Sequence, residues 1–165
     1  IWREVGGYMS TIKVDTIQKA NGSVPTAGDL GLNISGTVLQ VVEASREDST
    51  STTNSSFTDT GLSANITPSS SSNKVLALAD LRGGTSGASR ASNYNIVRGS
   101  TEICETTVFT VSASTSISIV LMKLDSPSTT SETTYKVQFK TDGSGTVNCG
   151  TATNAVRLIL LEVAG

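Results

Sequence analysis

Histidine is absent from this chain, and that absence removes the Ser-His-Asp and Cys-His arrangements in which an imidazole carries the nucleophile's proton. The two cysteines, Cys104 and Cys149, lie far apart and neither belongs to a CxxC pair. A closed zinc site therefore lacks its ligand set, and two cysteines are too few for a disulfide scaffold. Buried free thiols are the preferred reading over a bridge between them. No P-loop or GxGxxG follows an apolar run, and Gly143-Ser144-Gly145 reads as a turn; no cofactor or metal is implied. The acids that could cleave a glycosidic bond are Glu102 with Glu105 and Glu47 with Asp48. Solvated strand ends account for them more simply, since surface acids are the rule, so a non-enzymatic protein is expected. The residues better suited to binding are Arg82, Arg90, Tyr94 and Asn95, which bracket the flexible run Gly83-Gly84-Thr85-Ser86-Gly87-Ala88-Ser89. They offer cation, aromatic ring and amide for weak contact with sugar or phosphate, which several copies would strengthen by avidity. The competing reading is a plain solvated loop.

The elements that must position these residues are strands. The chain has 165 residues, enough for one domain with a substantial core. It holds 25 Ser and 24 Thr, with 16% charged and 4% aromatic residues, a composition suited to an all-β domain with solvated outer faces. The net charge of −2 provides no electrostatic footprint for nucleic acid. No apolar run approaches the roughly 20 residues that span a bilayer, so membrane insertion is not expected either.

The best-defined stretch runs from Ser116 to Lys140. Ile117, Ile119 and Leu121 alternate with Ser118 and Val120; Tyr135, Val137 and Phe139 alternate with Lys136, Gln138 and Lys140. With Pro127 and a run of hydroxyl residues between them, the two segments read as an antiparallel hairpin. Further strands are expected around Val38–Val42, Leu62–Thr67, Val75–Leu81, Tyr94–Arg98, Ile103–Cys104, Val108–Val111, Val147–Cys149 and Val156–Val163. Residues 49–56 read as a polar edge strand or a loop, and Asp142-Gly143-Ser144-Gly145 as a hairpin turn. Eight to ten short strands in this span predict an antiparallel, jelly-roll-like β-sandwich.

Before this head, over residues 37–165, the chain is thinner. Residues 1–8 differ in character from the chain after Met9, and read either as translated leader sequence or as a tether with Trp2 as anchor. Residues 9–36 form an arm whose apolar positions are Ile12, Val14, Ile17, Leu30, Leu32 and Ile34. So thin a face cannot stabilise itself and must lie against the head, copies of itself, or another protein.

Two strands have no wet side. Val75, Ala77, Ala79 and Leu81 alternate with Leu76 and Leu78, and Ile159, Leu161 and Val163 alternate with Leu158 and Leu160. An antiparallel sandwich ordinarily leaves one face of each sheet to solvent. The expectation is a subunit interface at Val75, Ala77, Ala79, Leu81, Ile159, Leu161 and Val163, with the small alanines allowing close approach. The alternative is a curled sheet that covers its own strands.

The segments Ser10-Thr11-Ile12-Lys13-Val14-Asp15-Thr16-Ile17-Gln18 and Gly36-Thr37-Val38-Leu39-Gln40-Val41-Val42 resemble the opening of short fibre-like structural proteins of tailed, notably marine, bacteriophages. The likeness continues through Thr58-Asp59-Thr60-Gly61-Leu62-Ser63-Ala64-Asn65-Ile66-Thr67-Pro68, Val97-Arg98-Gly99-Ser100-Thr101, Leu124-Asp125-Ser126-Pro127 and Thr133-Thr134-Tyr135-Lys136-Val137-Gln138, and covers residues 10–165. This resemblance implies a virion surface protein, a homotrimer whose β-rich head is similar to tumour-necrosis-factor and complement-type heads. It implies docking to other virion proteins through the arm and contact with a host cell-surface glycan or protein through the head. The arm is shorter than the shafts of full-length tail fibres, which leaves tail and capsid attachment both open. The leading expectation is a short fibre or tail-associated knob for host attachment. A capsid decoration (head fibre) protein is the runner-up, and a polysaccharide depolymerase the third reading.

Overall fold

The computed structural model describes residues 18–24, 34–86, 90–110, 116–143, 145–151 and 155–165. The chain divides into two units, Ile1–Ile34 and Ser35–Gly165. In the first, the described backbone makes a reverse turn closed by Gly22 N–H to the Lys19 carbonyl at 2.8 Å, with Gly22 at φ 79°. Ile12, Val14, Ile17, Leu30 and Leu32 of the arm lie outside the described residues; Ile34 is exposed and belongs to no strand.

The second unit is all β. Its strands are β1 (Val38–Arg46), β2 (Thr50–Thr52), β3 (Thr58–Ile66), β4 (Lys74–Thr85), β5 (Arg90–Arg98), β6 (Thr101–Thr110), β7 (Ser116–Asp125), β8 (Thr133–Thr141), β9 (Val147–Cys149) and β10 (Val156–Val163). One sheet joins β1, β10, β4, β9 and β2 with β7 on β4; the other has the order β3-β8-β5-β6. All pairs are antiparallel: β1 with β10, β2 with β9, β3 with β8, β4 with β7, β5 with β6. Each strand thus pairs with the one equally far from the opposite end of the domain, which is the nested order of a chain doubled back once and then rolled up. The expected jelly-roll-like sandwich is the fold.

Two local expectations are overturned. Ser116 to Lys140 is not a hairpin, because β7 pairs with β4 in the first sheet and β8 with β3 and β5 in the second. Residues 126–132 are an arch between sheets, with Pro127 buried in it. Alternation told correctly that each segment has one buried side, but a period of two says nothing about which strand lies alongside. The same holds after β8: Gly143 and Gly145 take positive φ (102° and 81°), yet β9 crosses to β2 and β4. Among the described residues, consecutive strands pair only at β5–β6, through Gly99 at φ 60°.

The core is formed by the facing sides of the two sheets. Val75, Ala77, Ala79 and Leu81 of β4, Val156, Leu158 and Leu160 of β10, and Ile119 and Leu121 of β7 meet Leu62, Ala64 and Ile66 of β3, Tyr94 and Ile96 of β5, and Tyr135, Val137 and Phe139 of β8. Two buried tyrosines bolt the layers together at opposite ends of β4. The Tyr94 hydroxyl donates to the Asn148 carbonyl at 2.7 Å, and Asn148 pairs with Gly84. The Tyr135 hydroxyl donates to the Asp125 carboxylate at 2.7 Å, and Asp125 pairs with Val75. Asp125 also takes an ion pair from Arg98 Nε at 2.7 Å. Burial, joined by the hydrogen bond to Asp125, pushes the Tyr135 phenol well above its ordinary value, so it serves as a donor throughout the accessible pH range.

Candidate functional site

The outward sides of the two sheets differ in chemistry. On the β3-β8-β5-β6 sheet the outer side chains are mostly polar and many pair with one another, while Phe109 on β6 stands exposed beside them. Asp59 accepts from Lys136 Nζ at 2.9 Å and Gln138 Nε2 at 2.6 Å, and hydrogen bonds together with the Lys136 charge hold its carboxyl below the usual range. Asn93 Nδ2 donates to Glu105 at 2.7 Å and to Thr107 at 2.8 Å, and Asn95 Nδ2 donates to Glu102 at 2.8 Å. Lys140 lies 4.1 Å from the centroid of the Phe57 ring. This is a water-facing surface.

The outer side of the other sheet is apolar over several strands. Strand register sets its residues in cross-strand rows. Val41, Leu161, Leu76 and Leu124 make one row; Glu43, Ile159, Leu78 and Met122 make the next; Ser45, Arg157, Asp80 and Val120 the third. Val41, Val120 and Met122 are each at least 60% exposed, and Leu76, Leu78, Ile159, Leu161 and Val163 are half-buried. Four strands about 4.8 Å apart, with rows about 7 Å apart, give the two apolar rows an area on the order of 270 Å2, extended by Val120 in the third. That is an apolar patch of a few hundred Å2, the scale at which such patches are often functional. Charge enters with Glu43 on the edge strand and with the third row, where Arg157 pairs with Glu43 at 3.3 Å and Asp80 stands between Arg157 and Val120.

Past the third row the face turns polar and hollow. Arg82 stands beside Ser118, to which its guanidinium donates at 2.7 Å. In the following row Gly84 has Ser116 on one side and Asn148 on the other. With no side chain on Gly84, a cavity of about 370 Å3 opens here, lined by Arg82, Gly84, Ser86, Ser116, Asn148 and Thr151 among others. Its far wall is held by Gly150 N–H donating to the Arg82 carbonyl at 2.7 Å.

These placements correct the expected sites. Val75, Ala77, Ala79 and Leu81 are at most 1% exposed; they point into the sandwich, so they are core and not a free interface. Ile159, Leu161 and Val163 lie on the opposite, outward parity, and their companions there are Leu76 and Leu78. Sequence alternation in a strand apolar on both sides cannot tell inside from outside; only pairing with the alanine-bearing parity does. Tyr94 and Asn95 are not loop residues: both are buried in β5, 0% and 1% exposed. The Arg90 side chain lies outside the described residues, and Arg82 alone of that group reaches the described surface. The supposed glycine loop is shorter than expected because Gly83, Gly84 and Thr85 belong to β4. Gly83 faces inward, where an added Cβ would sit 2.4 Å from both the Tyr94 hydroxyl oxygen and Ile119 Cδ1. The Gly-Gly pair is therefore a packing device on one side and a cavity floor on the other.

One buried acid escaped sequence reasoning. Glu162 is 1% exposed and accepts from Ser69 N–H at 2.6 Å, Ser69 Oγ at 2.7 Å, Asn73 Nδ2 and Gln40 Nε2. Burial pushes its carboxyl up, but the hydrogen bonds from Asn73, Gln40 and Ser69 outweigh it and hold the group below its ordinary value. It pins residues 67–73 against β1 and β10. The serine run after Pro68, whose hydroxyls and amides could serve as donors, was its only sequence signal. Both cysteines are free thiols, and burial pushes Cys149 up to about 11. Among the described residues no three His, Cys, Asp or Glu side chains gather as a metal site.

No family model and no curated protein matches this chain. Among solved structures it is similar to the infectious bursal disease virus VP2 subviral particle, at 15% identity and a TM-score of 0.39, over 76% of this chain. The chain spans 38% of that protein's length, and a likeness this distant carries no argument about activity.

Proposed function

We propose that this protein is a non-enzymatic virion structural protein that assembles as a homotrimer through the outer side of the β1-β10-β4-β7 sheet and serves in host-surface attachment. One observation carries the assembly: the outer side of one sheet is mostly polar side chains paired with one another, with Phe109 its one large exposed apolar side chain among the described residues, whereas the other presents apolar side chains over four strands. Leaving such a surface in water forgoes about 25 cal/mol per Å2. Its occupant is further copies of the same chain. The patch is of a size that is often functional. Its first two rows carry a single charge, Glu43 on the edge strand β1, and Arg157 and Asp80 bound it in the third row, so that the apolar centre carries no charge, as in interface cores. The threefold number, the virion location, the arm's docking to other virion proteins and the host glycan or protein as outer partner rest on the resemblance to phage fibre-like proteins.

Two measurements test this. Sedimentation equilibrium of the purified chain should return three times the 17.0 kDa chain mass; a stable folded monomer at micromolar concentration would end the assembly. Purified trimer should compete with virions for adsorption to host cells; absence of competition, with the protein present in virions in hundreds of copies, would favour capsid decoration over attachment.

A further inference from the structure

We infer that the cavity over Gly84 is a binding site for a carboxylate-bearing sugar, such as a uronic acid unit of a host polysaccharide. The inference rests on the attachment reading for its biological setting, and the lining residues it uses all belong to one chain. At about 370 Å3 it falls at the small end of ligand pockets, sized for a single sugar unit rather than an extended peptide. Among the described residues its lining holds one cation and is otherwise hydroxyl, amide and backbone: Arg82, Ser49, Ser86, Ser116, Asn148 and Thr151. The guanidinium of Arg82 is steadied by donating to Ser118 at 2.7 Å and makes no ion pair among the described residues, although Asp80 stands one row away on the same face. Its remaining N–H donors are available as a fork for a planar carboxylate. Asn148 supplies both an amide donor and an acceptor for neighbouring sugar hydroxyls; its own carbonyl is already engaged by Tyr94 on the inner side, which fixes the backbone beneath it. A single guanidinium forks a carboxylate or a phosphate alike; it is the hydroxyl- and amide-rich remainder of the lining that favours a sugar acid, and comparison with phosphate decides between them.

Among the described residues no aromatic ring on which a sugar could stack lines the cavity, so weak binding by each copy is expected. A dissociation constant on the order of millimolar is expected, and firm adhesion comes from several copies together.

The test is titration of the purified trimer with glucuronate, with glucose and inorganic phosphate as comparison, followed by amide chemical shifts. Saturable shifts at Gly84, Ser86 and Asn148 with glucuronate and none with glucose are expected. Arg82→Gln should weaken binding by about tenfold or more, as loss of a charge-assisted pair does, and Arg82→Lys by less, with the spectrum elsewhere unchanged. No shift well above millimolar glucuronate, or equal shifts with phosphate, would overturn the sugar site. Host adsorption separates the two readings: adsorption intact without glucuronate binding removes this site and leaves attachment to another surface. Glucuronate binding with no competition for adsorption keeps the site and removes the attachment reading.

Discussion

Two residues show how single side chains hold this sandwich. Gly83 is required because its inward position is already filled by the Tyr94 hydroxyl and Ile119, and that hydroxyl is tied to Asn148 and cannot swing away. Gly83→Ala should therefore cost about 2 kcal/mol by overpacking, read as a lower denaturant midpoint, whereas Gly84→Ala, on the outer side, should cost much less. Glu162 makes stability depend on pH. Its folded carboxyl sits below the ordinary value of 4.5, so the unfolded chain takes up the proton first as pH falls. The stabilisation is complete above that value and is lost as pH drops through the folded value. Glu162→Gln should lower stability at neutral pH by about 2 kcal/mol, the range for hydrogen bonds to a charged group. It should also flatten the loss below pH 4.5, as measured by urea unfolding at several pH values.

At the scale of elements, local pattern and partner choice come apart. β7 and β8 each alternate cleanly, and a short polar connection with a proline invites a hairpin. The arch instead sends them to different sheets because Ile119 and Leu121 on one and Tyr135, Val137 and Phe139 on the other are needed on facing sides of a single core. In solution, cross-strand contacts between backbone protons should link Ala79 with Leu121 and Ile96 with Val137, as the register requires, and none should link β7 with β8. A hairpin pattern of contacts would contradict the sandwich. The long Lys74–Thr85 strand is the element that ties all of this together. It borders β10, β7 and β9, carries core on one side and the apolar rows on the other, and ends over the cavity.

For the whole molecule, the decisive feature is that the two outer surfaces are unequal. Replacing Leu78 and Ile159 together with Asp puts two charges at neighbouring positions of one row, outside the sandwich core. The variant should remain folded, with a β-rich circular dichroism spectrum, and should sediment at the mass of one chain. If it stays trimeric, the assembly uses another surface. If it cannot fold at all while single-chain wild type can be prepared folded, these residues belong to the core and not to an interface.

What could be read from residue order alone was whatever depends on near neighbours or on composition: strands rather than helices, a sandwich rather than an open sheet, the absence of imidazole chemistry, and two strands with no side suited to water. Those come from alternation and from side-chain type. What needed the folded molecule was everything set by distant partners. Val75, Ala77, Ala79 and Leu81 read as interface and are core; Leu76 and Leu78 are their outward counterparts, because which parity faces inward is decided by the opposite sheet. Tyr94 read as a surface ring and is a buried bolt, because its hydroxyl meets a carbonyl 54 residues away. The cavity at Gly84 exists because β7 and β9, separated in sequence, flank β4 at the one outward position without a side chain.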